Sequence, residues 1–138
     1  MKMNCIFCKI VRGDITAFKV YEDSYTLAFL DIAPVTPGHV LVVAKLHSGN
    51  LDDVDDLMLA YIMRTVQRIG AALRKSLGVK GYNVIVNNGA VAGQLIDHFH
   101  VHLIPRRAED GLRGWPQGKY QGDAAKKLAA KIKAAAQR

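Results

Sequence analysis

His98-Phe99-His100-Val101-His102-Leu103-Ile104 alternates histidine with hydrophobe over its first six positions. Successive side chains of a β-strand point to opposite faces. The spacing therefore predicts a strand over 98–104 with His98, His100 and His102 on one face and Phe99, Val101 and Leu103 in the core. Residues two apart on such a strand are ~6.6 Å from one another, and the outer pair is ~13 Å apart. Two adjacent imidazoles can chelate one ion, but three along a flat strand do not converge on a single metal. A row of imidazoles hydrogen-bonded to one another fits better, with a ring on each side of His100 setting its tautomer and leaving one nitrogen free. A neutral imidazole held this way is a nucleophile towards phosphorus or acyl carbon, and its neighbours can bind oxyanions or move protons near neutral pH. The plain alternative is a surface stripe of histidines. The strict alternation and the preceding Gly93-Gln94 weigh against it.

Working outward, Pro105 is expected to end that strand, and Tyr82 to Asn87 reads as another, joined to it through the Asn88-Gly89 turn and a glycine-bearing loop. Upstream, Tyr25 to Leu30 and His39 to Ala44 read as two more strands, separated by Asp31 and the Pro34 to Gly38 segment. Between the two pairs lies a long amphipathic helix. Asn50 can cap it, and Asp52, Asp53, Asp55 and Asp56 sit where the helix dipole favours anions, which accounts for the acidic cluster without a metal. Val54, Leu57, Met58, Tyr61, Ile62, Val66, Ile69 and Leu73 follow the spacing of one buried face, and Gly78 can terminate it. Ile6 to Arg12, closed by Gly13, reads as one or two helical turns, residues 105–122 as loop, and 123–136 as a last helix. The pattern predicts an α+β fold: an antiparallel sheet of about five strands, one long helix on one face and short terminal helices.

Composition sets limits on what this fold does. The 138 residues favour one domain, and 50% hydrophobic residues are enough for a core. The formal charge of +7 invites a nucleic-acid partner. Residues 119–138 carry +5 of it, however, leaving the body at +2. The division expected is a body over 1–122 and a basic tail over 123–138. Leu128 and Ile132 stand four apart among its lysines, as in a solvated, weakly amphipathic helix, and a counter-charge for polyphosphate is the sharper alternative. Two cysteines, no apolar leader and no run of ~20 apolar residues give the expectation of a cytoplasmic protein without a membrane partner.

Gly93-Gln94, His98-x-His100-x-His102 and Pro105-Arg106 together resemble the signature of the histidine-triad (HIT) superfamily. The likeness extends over about the first 115 residues. It takes in Cys5-Ile-Phe-Cys-Lys-Ile, Phe29-Leu-Asp-Ile, Pro37-Gly-His39, Lys45-Leu-His47 and Val86-Asn-Asn-Gly, in the expected order. The resemblance implies a HIT-like fold, a homodimer, and hydrolysis or transfer at the α-phosphorus of a purine nucleotide conjugate. The conjugate classes are dinucleoside polyphosphates, nucleoside phosphoramidates and acyl-adenylates. His100 matches the nucleophile that becomes nucleotidylated, His102 a phosphate-contacting histidine, His98 an orienting one, and His39 a fourth histidine near the cluster. Asp31 matches the carboxylate that takes the ribose hydroxyls, and a carboxylate suits a cis-diol because it accepts two hydrogen bonds. Asn87, Gly93 and Gln94 match positions lining the phosphate site, and Ile6, Phe7, Ile10, Phe29, Leu30 and Ile32 match the apolar slot for the base. Two positions depart from the pattern. Leu95 replaces a Ser or Thr that assists the leaving group in Hint-like members, and Asp97 replaces a hydrophobe or aromatic.

Cys5-x-x-Cys8 has zinc-knuckle spacing but supplies only half of a tetrahedral site. His47 and His98 are candidates for the other two ligands, as in a related subset of HIT proteins, giving a structural zinc not required for catalysis. Two small buried thiols are the plain alternative. The expected activity is thus a nucleotide hydrolase with a covalent histidine intermediate. A nucleotide-sensing module with little turnover and a zinc-dependent hydrolase are the other readings, and the geometry of the row argues against the last.

Overall fold

The computed structural model describes residues 2–137. Five strands, β1 (Lys19–Glu22), β2 (Thr26–Leu30), β3 (Val40–Ala44), β4 (Gly81–Ile85) and β5 (His100–Arg106), form one antiparallel sheet in the order β1-β2-β3-β5-β4. The helices are α1 (Ile6–Arg12), α2 (Asp56–Leu77) and α3 (Ala124–Ala136). Among the described residues, no helix is long and apolar enough to cross a membrane.

Alternation along the strands sorts the core into two layers. Ala28, Val40, Val42, Ala44, Val101 and Leu103 pack under α2 against Ile62, Val66, Ile69 and Leu73. Leu27, Phe29, Leu41 and Val43 face the other way and pack against Phe7, Cys8 and Ile10 of α1. The sheet is therefore covered on both faces, which is why β2 and β3 are near-continuous apolar runs. A buried hydroxyl pair, Thr26 Oγ1 and Thr65 Oγ1 at 2.7 Å, ties β2 to α2.

The helix ends follow local chemistry. Cys5 caps α1 through its sulfur, which accepts the Cys8 N–H, and Gly13 closes the helix at φ 85°, a left-handed conformation that costs glycine little. Gly78 does the same for α2 at φ 65°.

Three expectations need correction. Asn50 caps a short 3-10 turn, Leu51–Asp53, whereas α2 starts five residues later under Asp55, whose carboxylate accepts the Met58 N–H. Leu57 consequently falls in the first turn of α2 and is 64% exposed rather than core. The last strand begins at His100 and continues through Pro105 to Arg106, so His98 precedes it. Beyond Leu103, β5 has only β4 beside it, and the proline there costs no rung of a two-sided ladder. The fifth strand is β1, a four-residue edge that the pattern of hydrophobes does not reveal.

Candidate active site and metal centre

The histidine row faces the α1 side of the sheet. His100 and His102 point there from β5, and Phe7 of α1 stands edge-on to His100 with ring centroids 5.2 Å apart. A cavity of about 310 Å³ opens beside them. Its lining includes every apolar residue expected for a slot, Ile6, Phe7, Ile10, Phe29, Leu30 and Ile32, together with Asp31, Gly93, His100 and His102. Ile15, Thr16, Ala17, Leu41 and Ile96 complete the wall. Sequence reasoning missed these five; only Leu41 carried a signal, its alternation with Val40 and Val42. Leu95 also lines the cavity and is 89% exposed on its rim.

The rings do not set one another's tautomers as the row predicts. His100 Nδ1–H donates to the backbone carbonyl of His98 at 2.7 Å, which leaves Nε2 with its lone pair. A second chain of bonds sets the opposite polarity on His102. The Val35 N–H donates to His39 Nδ1 at 3.1 Å, so the His39 proton lies on Nε2 and is donated to His102 Nδ1 at 2.9 Å. His102 must then carry its own proton on Nε2. Two backbone groups thereby place a nucleophilic nitrogen on His100 and a donor N–H on the ring beside it, with centroids 5.0 Å apart. Asp31 completes the group: its Oδ1 accepts the Ala33 N–H at 2.9 Å, and Oδ2 lies 3.7 Å from His39 Nε2.

Burial holds these rings neutral. It lowers His39 and His100 below the ordinary histidine pKa, partly offset by the Asp31 carboxylate and, for His100, by the His98 carbonyl. His102 is pushed down to about 4, by burial first and then by its two histidine neighbours. Asp31, His39 and His102 also bring ligand atoms within 4.8 Å of one another, but the hydrogen bond between the two imidazoles already occupies that arrangement.

Two residues expected at the phosphate site stand apart from the cavity lining. Gln94 is buried with its amide wholly engaged: Oε1 accepts the Gly89 N–H, and Nε2 donates to the carbonyls of Gly49 and Ile96. These bonds brace the 89–96 loop. Asn87 lies beneath Gly93, its amide nitrogen 3.8 Å from where a Cβ on that glycine would sit.

His98 belongs to a different cluster. Cys5, Cys8, His47 and His98 bring four ligand atoms within 4.8 Å of one another. His98 Nδ1 lies 3.4 Å from Cys5 Sγ, 3.5 Å from Cys8 Sγ and 3.2 Å from His47 Nδ1, and Cys8 Sγ lies 3.3 Å from His47 Nδ1. A tetrahedron with ordinary zinc–sulfur and zinc–nitrogen bonds has edges of roughly 3.3–3.8 Å. The second shell fits as well. His98 Nε2–H donates to the Ala44 carbonyl at 2.8 Å, which leaves Nδ1 as a lone pair facing the sulfurs. Backbone N–H groups of Cys8 and Lys2 donate to Cys5 Sγ and Cys8 Sγ. The donor set therefore suits a four-coordinate metal that would fasten α1 to the sheet.

Comparison with known proteins agrees with this geometry. A family model described as the HIT domain matches residues 12–109. The chain is 46% identical over 116 residues to an adenosine 5′-monophosphoramidase of Schizosaccharomyces pombe, covering 83% of this chain and 84% of the relative. A HIT family protein from Bacillus anthracis superposes with TM-score 0.88 at 38% identity, over 99% of this chain and 100% of that one. A zinc-bound histidine triad family protein from Mycobacterium smegmatis superposes with TM-score 0.77 at 36% identity, over 96% of this chain and 98% of that one. The motif, the five-stranded sheet and these matches over most of the chain agree: this protein is a member of the HIT domain family.

Proposed function

We propose that the protein is a nucleotide hydrolase that cleaves at the α-phosphorus of a purine nucleotide conjugate through a nucleotidyl-histidine intermediate. One observation carries this reading: the unprotonated Nε2 of His100 and the N–H of His102 sit side by side at an apolar cavity that also holds Asp31. The base enters the slot between α1 and β2, the ribose hydroxyls donate to Asp31, and the phosphate meets the two histidines. His100 Nε2 attacks phosphorus as the bond to the leaving group breaks with its electron pair on that group. His102 Nε2–H donates to a phosphoryl oxygen, which gains negative charge in the transition state. Water then attacks phosphorus and gives up a proton to solvent as the His100 Nε2–P bond breaks, which returns the lone pair to Nε2 and releases the nucleoside monophosphate. Kinship with an adenosine 5′-monophosphoramidase supports a purine and this reaction class.

The test is mass spectrometry of acid-quenched enzyme during turnover. The expected result is a nucleotidyl adduct on His100 that is missing from His100→Asn, together with a rate loss of about 10³-fold or more. Near-wild-type turnover in that variant removes the reading and leaves a nucleotide-sensing module in its place. A metal-dependent hydrolase built on the triad is disfavoured because His98 is the only triad residue in the Cys/His cluster.

The cluster is read as a structural zinc site, in keeping with the zinc-bound relative. When bound, the metal would supply a cross-link between Cys5, Cys8, His47 and His98, and no catalytic step passes through it. Metal analysis of protein prepared without chelator should find close to one zinc per chain; a value well below one removes the claim. A homodimer completes the proposal, and sedimentation at the mass of one chain would contradict it.

A further inference from the structure

A cavity equal in volume to the catalytic one, about 310 Å³, opens on the other side of the sheet and shares no lining residue with it. It lies at the rim of the α2 layer, between the hairpin that joins β1 to β2 and the helix face formed by Tyr61, Arg64, Thr65 and Arg68. That volume is at the small end of ligand pockets, room for one substituted ring. We propose that this cavity is a second binding site and that it takes an aromatic phosphate monoester, with the phosphate on Arg64 and Arg68 and the ring against Tyr25 and Tyr61.

Charge leads to the phosphate. Arg64 and Arg68 stand one turn apart on α2, both exposed, and among the described residues neither has a carboxylate within 4 Å. Like charges at this spacing repel, so an anion between them relieves a cost as well as making bonds. Arg68 is held over the Tyr21 ring, 5.0 Å from its centroid, a contact that steadies the guanidinium without neutralising it. Asp23, the one acid in the lining, is already engaged. Its Oδ1 accepts the N–H groups of Tyr25 and Thr26 at 2.8 and 2.7 Å and the Thr26 hydroxyl at 3.1 Å, and Oδ2 accepts the Tyr21 hydroxyl at 3.1 Å. With its proton spent on Asp23, Thr26 must accept from the buried Thr65 hydroxyl. One chain of bonds therefore ties the hairpin to α2 and fixes the cleft before a ligand arrives. A phosphate monoester carries about −1.5 to −2 at neutral pH, which suits two guanidiniums better than a carboxylate does.

The aromatic half of the ligand follows from the opposite wall. Tyr25 of the hairpin and Tyr61 of α2 stack with ring centroids 4.3 Å apart and planes 8° from parallel. Such a pair offers an outer face on which a further planar ring can lie. An aliphatic phosphate would leave that face unused, and an uncharged ring would leave the two guanidiniums unpaired. Nucleoside monophosphates and phosphorylated phenols both carry the two groups together.

The test is an NMR titration of the isotope-labelled full chain with phenyl phosphate, adenosine 5′-monophosphate and inorganic phosphate. The amides of Ser24 and Arg68 report on this cavity, and those of Gly93 and His100 on the catalytic one. At least one of the two aromatic esters should shift the first pair and bind there about fivefold more tightly than inorganic phosphate, the gain from stacking one ring. The tighter of the two identifies the source of the ligand. Arg64→Gln and Arg68→Gln should each weaken that binding about tenfold, the loss of one charge-assisted contact. Arg74 is the matched control, held over the Tyr82 ring at 5.4 Å on the same helix but outside the cavity, and Arg74→Gln should change the affinity by less than about twofold. Tyr25→Leu should bring the ester within about twofold of inorganic phosphate. Shifts confined to Gly93 and His100, or equal losses in all three arginine variants, overturn the site. An ester preference that survives Tyr25→Leu overturns the placing of the ring.

Discussion

His102 illustrates how burial and hydrogen bonding set chemistry one residue at a time. Its Nδ1 accepts from His39 and its pKa lies near 4, so it stays neutral across the physiological range. The sign of the consequence for stability follows from proton linkage. Between the folded value near 4 and the ordinary value near 6.5, the unfolded chain binds more protons than the folded one. The contribution is therefore present above about pH 6.5 and is lost as pH falls towards 4. The melting temperature should drop over that window, and it should drop less steeply in His102→Gln. An identical slope in the variant would mean that His102 does not contribute. At the same scale, what could be read from the sequence is proximity: the alternation put His100 and His102 together at one cavity, and the Cys-x-x-Cys spacing brought two sulfurs to one cluster with His47 and His98. The tautomers could not be read, because the groups that set them are the His98 carbonyl and the Val35 N–H. Every residue owns such main-chain atoms, so their placement leaves no trace in residue identity. Gln94 shows the same gap between identity and partner: its side-chain amide bonds to three backbone groups that its residue type does not reveal.

Among the elements, α2 depends on one close approach. A Cβ on Gly70 would run into the hydroxyl and ring of Tyr82 from β4. Gly70→Ala gains about 1 kcal/mol of helix propensity, but overpacking costs about 1–3 kcal/mol and Tyr82 is anchored in the sheet. The expected result is a net loss of stability in urea unfolding, largely restored when Tyr82→Ala is added; a more stable single variant would contradict the contact. Elements with strong periodicity or unambiguous caps, such as α1, α2, β2 and β3, could be read from their residues. β1 could not, since four half-exposed edge residues bury too little to impose a pattern, and a register irregularity between Lys19 and Tyr21 blurs what remains. The start of α2 was misplaced because Asn50 and Asp55 are both competent caps, and the chain uses each for a different turn.

For the molecule as a whole, the two layers divide the work. The face under α2 is plain hydrophobic core, whereas the face under α1 holds the cavity and the ligand cluster. The basic tail takes part in neither, since none of α3 is buried. A chain ending at Gly122 should keep its melting temperature and its turnover, with unchanged salt dependence, and a fall in either would give the tail a role beyond solvation. His98 joins the two functions of the α1 face, but through separable parts: the imidazole belongs to the ligand cluster, while the carbonyl holds the His100 proton. Any amino acid at that position supplies the carbonyl. A lineage could therefore replace the Cys/His cluster with ordinary apolar packing without disturbing the His100 tautomer, and whatever that cluster binds would be free to come and go among descendants that keep the same arrangement of imidazoles.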